Sequence, residues 1–244
     1  MNLGNLISLG HVNLQEISAE GNEKISKSRI SLIGLGGTGS LAAQLFVRAG
    51  VKKLTIVDFD GINATNLQRQ INYGSDDLRR KKTEATAALL RRIRDDTEIV
   101  ECGETLDESS ADRILSGNNL IFDGTDNMVA RDTINNFSLH SGTPWIFTSA
   151  IGTAGEYKAI IPGVTSCLRC FVPVINATHL SCSEQGILNS VPSIISGLAY
   201  TEAIKVILGN PNVGDLHFVD PWRDSHEQIR IARRKDCSAC SGKT

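Results

Sequence analysis

Four of the six cysteines stand in two pairs, Cys167-Leu168-Arg169-Cys170 and Cys237-Ser238-Ala239-Cys240. Each CxxC offers two thiolates in a knuckle, and two knuckles make a closed tetrahedral S4 zinc site. With no open coordination position such a site is structural, tying the C-terminal segment back onto the fold. A second set of residues suits phosphate chemistry. Gly34-Leu35-Gly36-Gly37-Thr38-Gly39 is a GxGxxG turn. Its glycines give a tight turn, close backbone approach to phosphate and close helix–strand packing. Asp58 follows at about 20 residues, where an acidic side chain can hold a ribose hydroxyl. Asn66, Arg69 and Gln70 cluster just beyond, and arginine meets phosphate through two parallel bonds. Lys82 falls on the apolar side of the next helix, where an unpaired ammonium is costly. It either snorkels to solvent or faces an anion, and the neighbouring phosphate site favours the anion. Asp126, in Asp123-Gly124-Thr125-Asp126-Asn127, is placed to hold Mg²⁺ against phosphate oxygens; an N-cap role is the alternative for it or Thr125.

These residues need an alternating scaffold to bring them together. Arg29–Leu35 and Leu54–Val57 read as strands around a helix carrying Leu41, Leu45 and Ala49 and stopped by Gly50. Residues 59–70 form an irregular polar loop at a strand end. Leu78–Arg94 reads as a helix with a stripe of Leu78, Ala85, Leu89 and Ile93. Strands are expected at Glu98–Cys102, Asn119–Phe122 and Trp145–Ser149, with helices at Ala111–Leu115 and Asn127–His140. Ala150–Gly155 reads as a small-residue turn and Ala177–Gln185 as a crossover carrying Cys182, an exposed thiol able to react. Cys102 reads as a buried, inert thiol. A helix over Ile194–Leu208 and strands at Leu216–Val219 and Gln228–Ala232 complete the pattern. Residues 1–28 suggest a short helix or loop. Alternating strands and helices predict an α/β sheet with ligands at the carboxyl ends of its strands.

The 244 residues suffice for one large α/β domain, and 41% hydrophobic with 21% charged residues describes an ordinary globular chain. A net charge of −2 gives no case for nucleic acid. No apolar run is seen to reach the ~18 residues of a membrane span, and no signal peptide is evident. A cytoplasmic location is expected, which favours metal ligands over disulfides. The five histidines match no triad or metal spacing.

Taken jointly, GLGGTG, VDFD, TNLQRQ, the lysine heading the next helix, GTDN followed by Arg131, CLRC, SCSEQG, YTEAIKVIL and CSAC resemble the ThiF/MoeB/HesA family. These are bacterial and archaeal relatives of ubiquitin-activating enzymes, and the resemblance runs from about Ser28 to Cys240. It implies a Rossmann-like mixed sheet, parallel in its first half and antiparallel in its second, in one unit spanning 1–244. The nucleotide-binding half would cover about 1–160, and a zinc-bearing, partner-binding half about 161–244. It implies ATP-dependent adenylylation of the C-terminal glycine of a small ubiquitin-like sulfur carrier ending in Gly-Gly. Members are usually homodimers, and sulfur would come from a separate donor protein. Carried over, Gly34, Gly36, Gly37 and Gly39 lie at the nucleotide and Asp58 holds the ribose. Asn66 and Arg69 contact phosphates, Lys82 neutralises them, and Asp126 binds Mg²⁺ with Asn127 beside it. In some members the crossover cysteine, here Cys182, forms a covalent link; in others it is dispensable. Members also carry an arginine before the first strand that reaches the partner's ATP. Residues 1–23 here contain no Arg or Lys.

Two other readings compete. A non-catalytic subunit that binds a ubiquitin-like protein would suit the bare N-terminus. An NAD-dependent oxidoreductase would suit the first 60 residues but leaves Asn66, Arg69, Lys82 and Asp126 without work.

Overall fold

The computed structural model describes residues 3–172, 186–210 and 213–241. The Ala177–Gln185 crossover and Cys182 therefore lie outside the described residues. Eight strands form one sheet in the order β3-β2-β1-β4-β5-β6-β7-β8. They are β1 (Arg29–Ile33), β2 (Lys53–Val57), β3 (Glu98–Cys102), β4 (Leu120–Asp123), β5 (Trp145–Ile151), β6 (Ala154–Ile160), β7 (Leu216–Asp220) and β8 (Ser225–Ile229). The first five are parallel, and β6, β7 and β8 add antiparallel pairs, giving the expected mixed sheet.

Among the described residues the helices are α1 (Leu3–Val12), α2 (Ser18–Lys27), α3 (Gly37–Ala49), α4 (Lys82–Ile93), α5 (Glu108–Leu115), α6 (Met128–Ser141), the single turn α7 (Leu168–Phe171) and α8 (Ser190–Leu208). Residues 1–28 thus carry two helices where one short helix or a loop was expected. Helices cover both faces of the sheet, so its central strands are buried on both sides and read as short apolar runs. One core, around Phe46, Leu54, Phe122 and Ile195, lies on the α3/α8 face. The other, around Ile121, Ile134, Trp145 and Phe147, lies on the α5/α6 face and includes the four paired cysteines.

α8 has 19 residues, of which only Glu202 and Lys205 are charged, and is long and apolar enough by composition to cross a membrane. This departs from the sequence expectation. In the fold α8 is a core helix, packed against α2, α3, β5 and β6. Its Glu202 is buried and accepts the Gly214 N–H at 3.3 Å.

Three other elements differ from expectation. Only Gly152 and Thr153 separate β5 from β6, so Ala150, Ile151, Ala154 and Gly155 belong to strands. Gly155 is small because α8 crosses it: an added Cβ would stand 2.4 Å from Ile195 Cγ1. β6 escaped notice because it is interrupted by Lys158, fully buried with its ammonium donating to the Gly214 carbonyl. α4 begins at Lys82 rather than Leu78. Arg79 has a positive φ of 71°, and residues 79–81 turn back to bond with Asp60–Ile62 through Ile62 N–H to Arg80 O at 2.9 Å. Leu78 is consequently exposed; Ala85 is buried as expected, and the rest of the buried face of α4 is Lys82, Thr83, Thr86, Ala87 and Leu90. The final strand is Ser225–Ile229 instead of Gln228–Ala232.

Candidate active site

Sheet register sets the site. Ile33 pairs with Val57 on one side and with Asp123 on the other. The carboxyl ends of β2, β1 and β4 are therefore level, and the three loops that leave them converge. Their backbones interlock at the glycines. Gly34 has φ +85°, and a Cβ on Gly39 would stand 1.9 Å from the Gly34 carbonyl oxygen. A Cβ on Gly124 would stand 2.7 Å from Gly39 Cα. Gly37 is pressed against Pro192 in the first turn of α8. These glycines are small because backbone meets backbone, and the result brings the N-terminus of α3, with its free N–H groups, to the cleft.

A cleft of about 550 Å³ runs over these loops. It extends from Leu106 after β3, past Asp58 and Gly36, to Asp126, Ser149 and Glu156. Gly34, Gly36, Gly37, Asp58, Asn66, Arg69, Lys82, Asp126 and Asn127 all line it. Of the glycines singled out in the turn, only Gly39 lies behind the wall, where it serves the backbone packing.

Asp58 is buried. Its Oδ2 accepts the Leu35 N–H at 2.7 Å and its Oδ1 accepts the Asp60 N–H at 2.8 Å. Burial pushes its carboxyl up from the usual aspartate range, while Lys82 and the two N–H groups pull it back. Each oxygen keeps a second lone pair, enough to accept a hydroxyl. Lys82 is 5% exposed, with Nζ 2.8 Å from Asp60 Oδ2 and 3.6 Å from Asp58 Oδ2. It neither snorkels nor stands alone; two carboxylates hold its ammonium at the cleft wall.

The loop after β2 makes a tight turn through Asn66. Its backbone carbonyl accepts the N–H groups of Arg69 and Gln70 at 3.1 and 2.9 Å. Arg69 is steadied by one bond, Nη1 to Thr65 O at 3.1 Å, leaving other guanidinium donors for the cleft. Gln70 is 4% exposed, and its Oε1 has no hydrogen-bond partner among the described residues. A buried orphan acceptor beside a cleft is satisfied by a ligand donor or by water.

The loop after β4 separates two roles that the sequence left merged. The N-cap of α6 is Asn127, whose Oδ1 accepts Val129 N–H at 2.8 Å. Neither Thr125 nor Asp126 caps. Thr125 Oγ1 donates to Asp123 Oδ1 at 2.7 Å, and Asp126 is exposed in the cleft. Beneath lies a pair that sequence reading did not resolve. Asp123 is fully buried and accepts Arg131 Nε at 3.0 Å. Arg131 also donates to Thr148 O at 2.7 Å and lies 5.0 Å above the Phe147 ring. In the sequence Arg131 stands only as the residue that follows GTDN; its i+8 spacing from Asp123 across a loop and helix start is the available signal. Burial drives the Asp123 carboxyl upward, and Arg131 opposes it. Arg131→Met is expected to destabilise the fold by about 3–5 kcal/mol, because it strands a buried charge. Urea unfolding measures this; a loss below about 1 kcal/mol would show Asp123 to be protonated and indifferent to its partner.

The four paired cysteines converge against the first half of α6, where Asp132 and Asn135 meet the Cys167–Cys170 knuckle. Sγ–Sγ separations are 3.8 Å for Cys167–Cys170 and 3.6 Å for both Cys167–Cys237 and Cys170–Cys240. A tetrahedral ion with ~2.3 Å metal–sulfur bonds needs edges of about 3.8 Å. All four are buried, and their sulfurs all lie within 4.8 Å of one another, so the cluster can hold a metal ion. Burial pushes the Cys237 thiol up, but the N–H groups of Ala239 and Cys240, together with the Cys240 and Cys167 thiols, bring it down to about 7. Cys102 is half-buried against Glu104, and burial raises its thiol, consistent with an inert role. Two histidines do meet: His217 Nδ1 lies 3.2 Å from His226 Nε2, with His217 stacked on Tyr157. Strand pairing of β7 with β8 makes neighbours of residues nine apart, which spacing could not show.

A profile of the ThiF family matches residues 9–239. The chain is 28% identical over 234 residues to the SAMP-activating enzyme E1 of Haloferax volcanii, covering 94% of this chain and 86% of that protein. It is 29% identical over 231 residues to the sulfur carrier protein ThiS adenylyltransferase of Escherichia coli, covering 94% and 92%. It is 29% identical over 234 residues to the molybdopterin-synthase adenylyltransferase of Salmonella typhimurium, covering 93% and 92%. Among solved structures, E. coli MccB with ATP superposes with a TM-score of 0.80 at 18% identity, over 90% of this chain and 68% of that one. That last likeness speaks to the fold alone. The profile runs almost from end to end, across the glycine turn, the cleft loops, the first cysteine pair and Cys237: the chain belongs to the ThiF family.

Proposed function

We propose that this chain uses ATP to adenylylate the C-terminal carboxylate of a small ubiquitin-like sulfur carrier ending in Gly-Gly. The observation that carries the reading is the content of one cleft: a buried acceptor for ribose, cationic and amide donors for phosphates, and a free exposed carboxylate. The activities that the relatives are named for agree with it. In this reading the Gly34–Gly39 turn and α3 cradle phosphate, Asp58 holds the ribose, and Asn66, Arg69 and Lys82 meet the phosphates. Asp126, with Asn127 beside it, would hold Mg²⁺, which offsets charge on the phosphate oxygens. The four cysteines would hold one structural Zn²⁺, since all-thiolate tetrahedral sites suit it.

The chemistry asks little of acid–base groups. A terminal carboxylate has a pKa of roughly 3.5 and is ionised at pH 7. One of its oxygens attacks the α-phosphorus in line, the bond from that phosphorus to the bridging oxygen breaks, and pyrophosphate leaves with the electron pair. No proton moves, so positioning and charge stabilisation carry the rate. A separate sulfur donor then displaces AMP. We further propose a homodimer in the cytoplasm, with the partner subunit supplying what residues 1–23 lack, and Cys182 as the candidate thiol for a covalent link.

Mg²⁺-dependent ATP–pyrophosphate exchange tests this. Exchange is expected only with a carrier whose tail is intact, and is expected to vanish in Asp126→Ala and Arg69→Ala. Carrier binding without exchange, by a folded protein, would replace the enzyme with a binding subunit.

A further inference from the structure

The two ends of the cleft differ in kind. Asp58 directly follows β2 and Glu156 lies on β6, and those two strands are four steps apart in the sheet order. At ~4.8 Å per step that is about 19 Å, too far for a ribose held by Asp58 to reach Glu156. In the adenylylation reading, on which this inference rests, the nucleotide occupies the β2 end, and the acyl substrate enters from the β6 end.

Glu156 lines the cleft and is half-buried. Among the described residues no group donates a hydrogen bond to its carboxylate, and no cation lies in ion-pair contact with it. The Arg131 guanidinium acts on it through space. The donors of Arg131 are committed to Asp123, Thr125, Thr148 and Met128. Burial pushes the Glu156 carboxyl up from the ordinary range, with Arg131 pulling the other way. A half-buried carboxylate without donors is costly unless a ligand supplies them. Nothing in the adenylylation step consumes this group: the nucleophile is already ionised, and the phosphates lie elsewhere.

We propose that Glu156 is a specificity-determining residue that accepts a backbone N–H of the incoming C-terminal tail and selects against an acidic side chain just before the terminal glycines. A Gly-Gly tail offers bare peptide N–H groups and no side chain to cover them, which suits a carboxylate acceptor. An acidic neighbour would set two like charges together in a partly dehydrated wall, an arrangement that their repulsion disfavours. A basic neighbour would be favoured by the same geometry.

The test is exchange kinetics with one carrier in three forms, bearing Lys, Ser or Glu as the third residue from the end. Each is assayed with wild type, Glu156→Gln and Glu156→Ala. Wild type is expected to prefer Lys over Glu by about tenfold or more in kcat/KM, about 1.4 kcal/mol. Glu156→Gln keeps the shape and an acceptor oxygen but removes the charge. It is expected to bring the ratio close to one, with KM for ATP unchanged. Glu156→Ala also removes the acceptor, so it is expected to raise the carrier KM for all three tails. An unchanged Lys-to-Glu ratio in Glu156→Gln would overturn the proposal, as would a raised KM for ATP with normal carrier kinetics. Absence of exchange by wild type with every carrier would instead bring down the adenylylation reading, and this inference with it.

Discussion

Lys82→Met is expected to lower ATP–pyrophosphate exchange by about 10²–10³-fold, the usual cost of losing one preorganised charge-stabilising group. Lys82 is 5% exposed, and its ammonium is held 2.8 Å from Asp60. It is fixed before substrate arrives and needs little reorganisation during the reaction. Removing it does more than subtract a cation. Asp58 and Asp60 then face a site meant for polyphosphate with no positive charge between them, so ATP binding suffers as well as turnover. KM for ATP should rise and kcat should fall, whereas loss of a ground-state contact alone would change only KM. Lys82→Arg should not restore the rate, because a planar guanidinium cannot occupy the point position between two carboxylates. Circular dichroism should be unchanged, since methionine keeps the buried stem. Wild-type exchange in Lys82→Met would show that Lys82 is only the counter-ion of Asp60.

The residues of this site were legible because their spacing is local. A glycine turn between strand and helix, an aspartate at the next strand end, and Asn66 with Arg69 and Gln70 in one turn need no long-range information. Lys82 was legible from its misfit, a charge on a buried helical face, although the helix start was misplaced by four residues. The positive φ at Arg79, which redirects the chain, leaves no mark in hydrophobic periodicity. What stayed hidden depends on tertiary contact. β6 is buried on both faces and contains a lysine, so neither alternation nor an apolar run announces it. Gly155 looked like turn material and is small for Ile195. The Asp123–Arg131 pair, the Asn127 cap and the His217–His226 contact become evident only when loops and strands are placed side by side. The cysteine pairs declared their chemistry by spacing, but their position against Asp132 and Asn135 of α6 required the fold.

That position gives metal removal its expected reach. Chelation, or Cys237→Ser, should release one equivalent of zinc per chain and lower the melting temperature by about 10 °C or more. Cys167 and Cys237, like Cys170 and Cys240, are 70 residues apart in the chain. A cross-link closing a loop of about 70 residues is worth roughly 4 kcal/mol in chain entropy alone. At about 2–4 °C per kcal/mol for a domain of this size, the shift follows. Little else secures the tail. Beyond β8, residues 230–241 form no helix or strand, and Arg233 Nη1 to the Gly163 carbonyl at 2.7 Å is one of few anchors. The consequence should also reach the cleft. The first cysteine knuckle is bound to α6 twice, by Arg169 to Asp132 at 2.5 and 2.8 Å and by Leu168 N–H to Asn135 Oδ1 at 3.0 Å. The first turn of that helix carries the Asn127 cap and Arg131, which fix the loop bearing Asp126. Metal loss should therefore raise the Mg²⁺ concentration needed for half-maximal exchange before it abolishes exchange. It should also make the C-terminal segment the first site of proteolysis. If the purified protein holds no metal, and a chelator changes neither melting nor proteolysis, the four cysteines are packing thiols and the tail is held by its buried contacts alone.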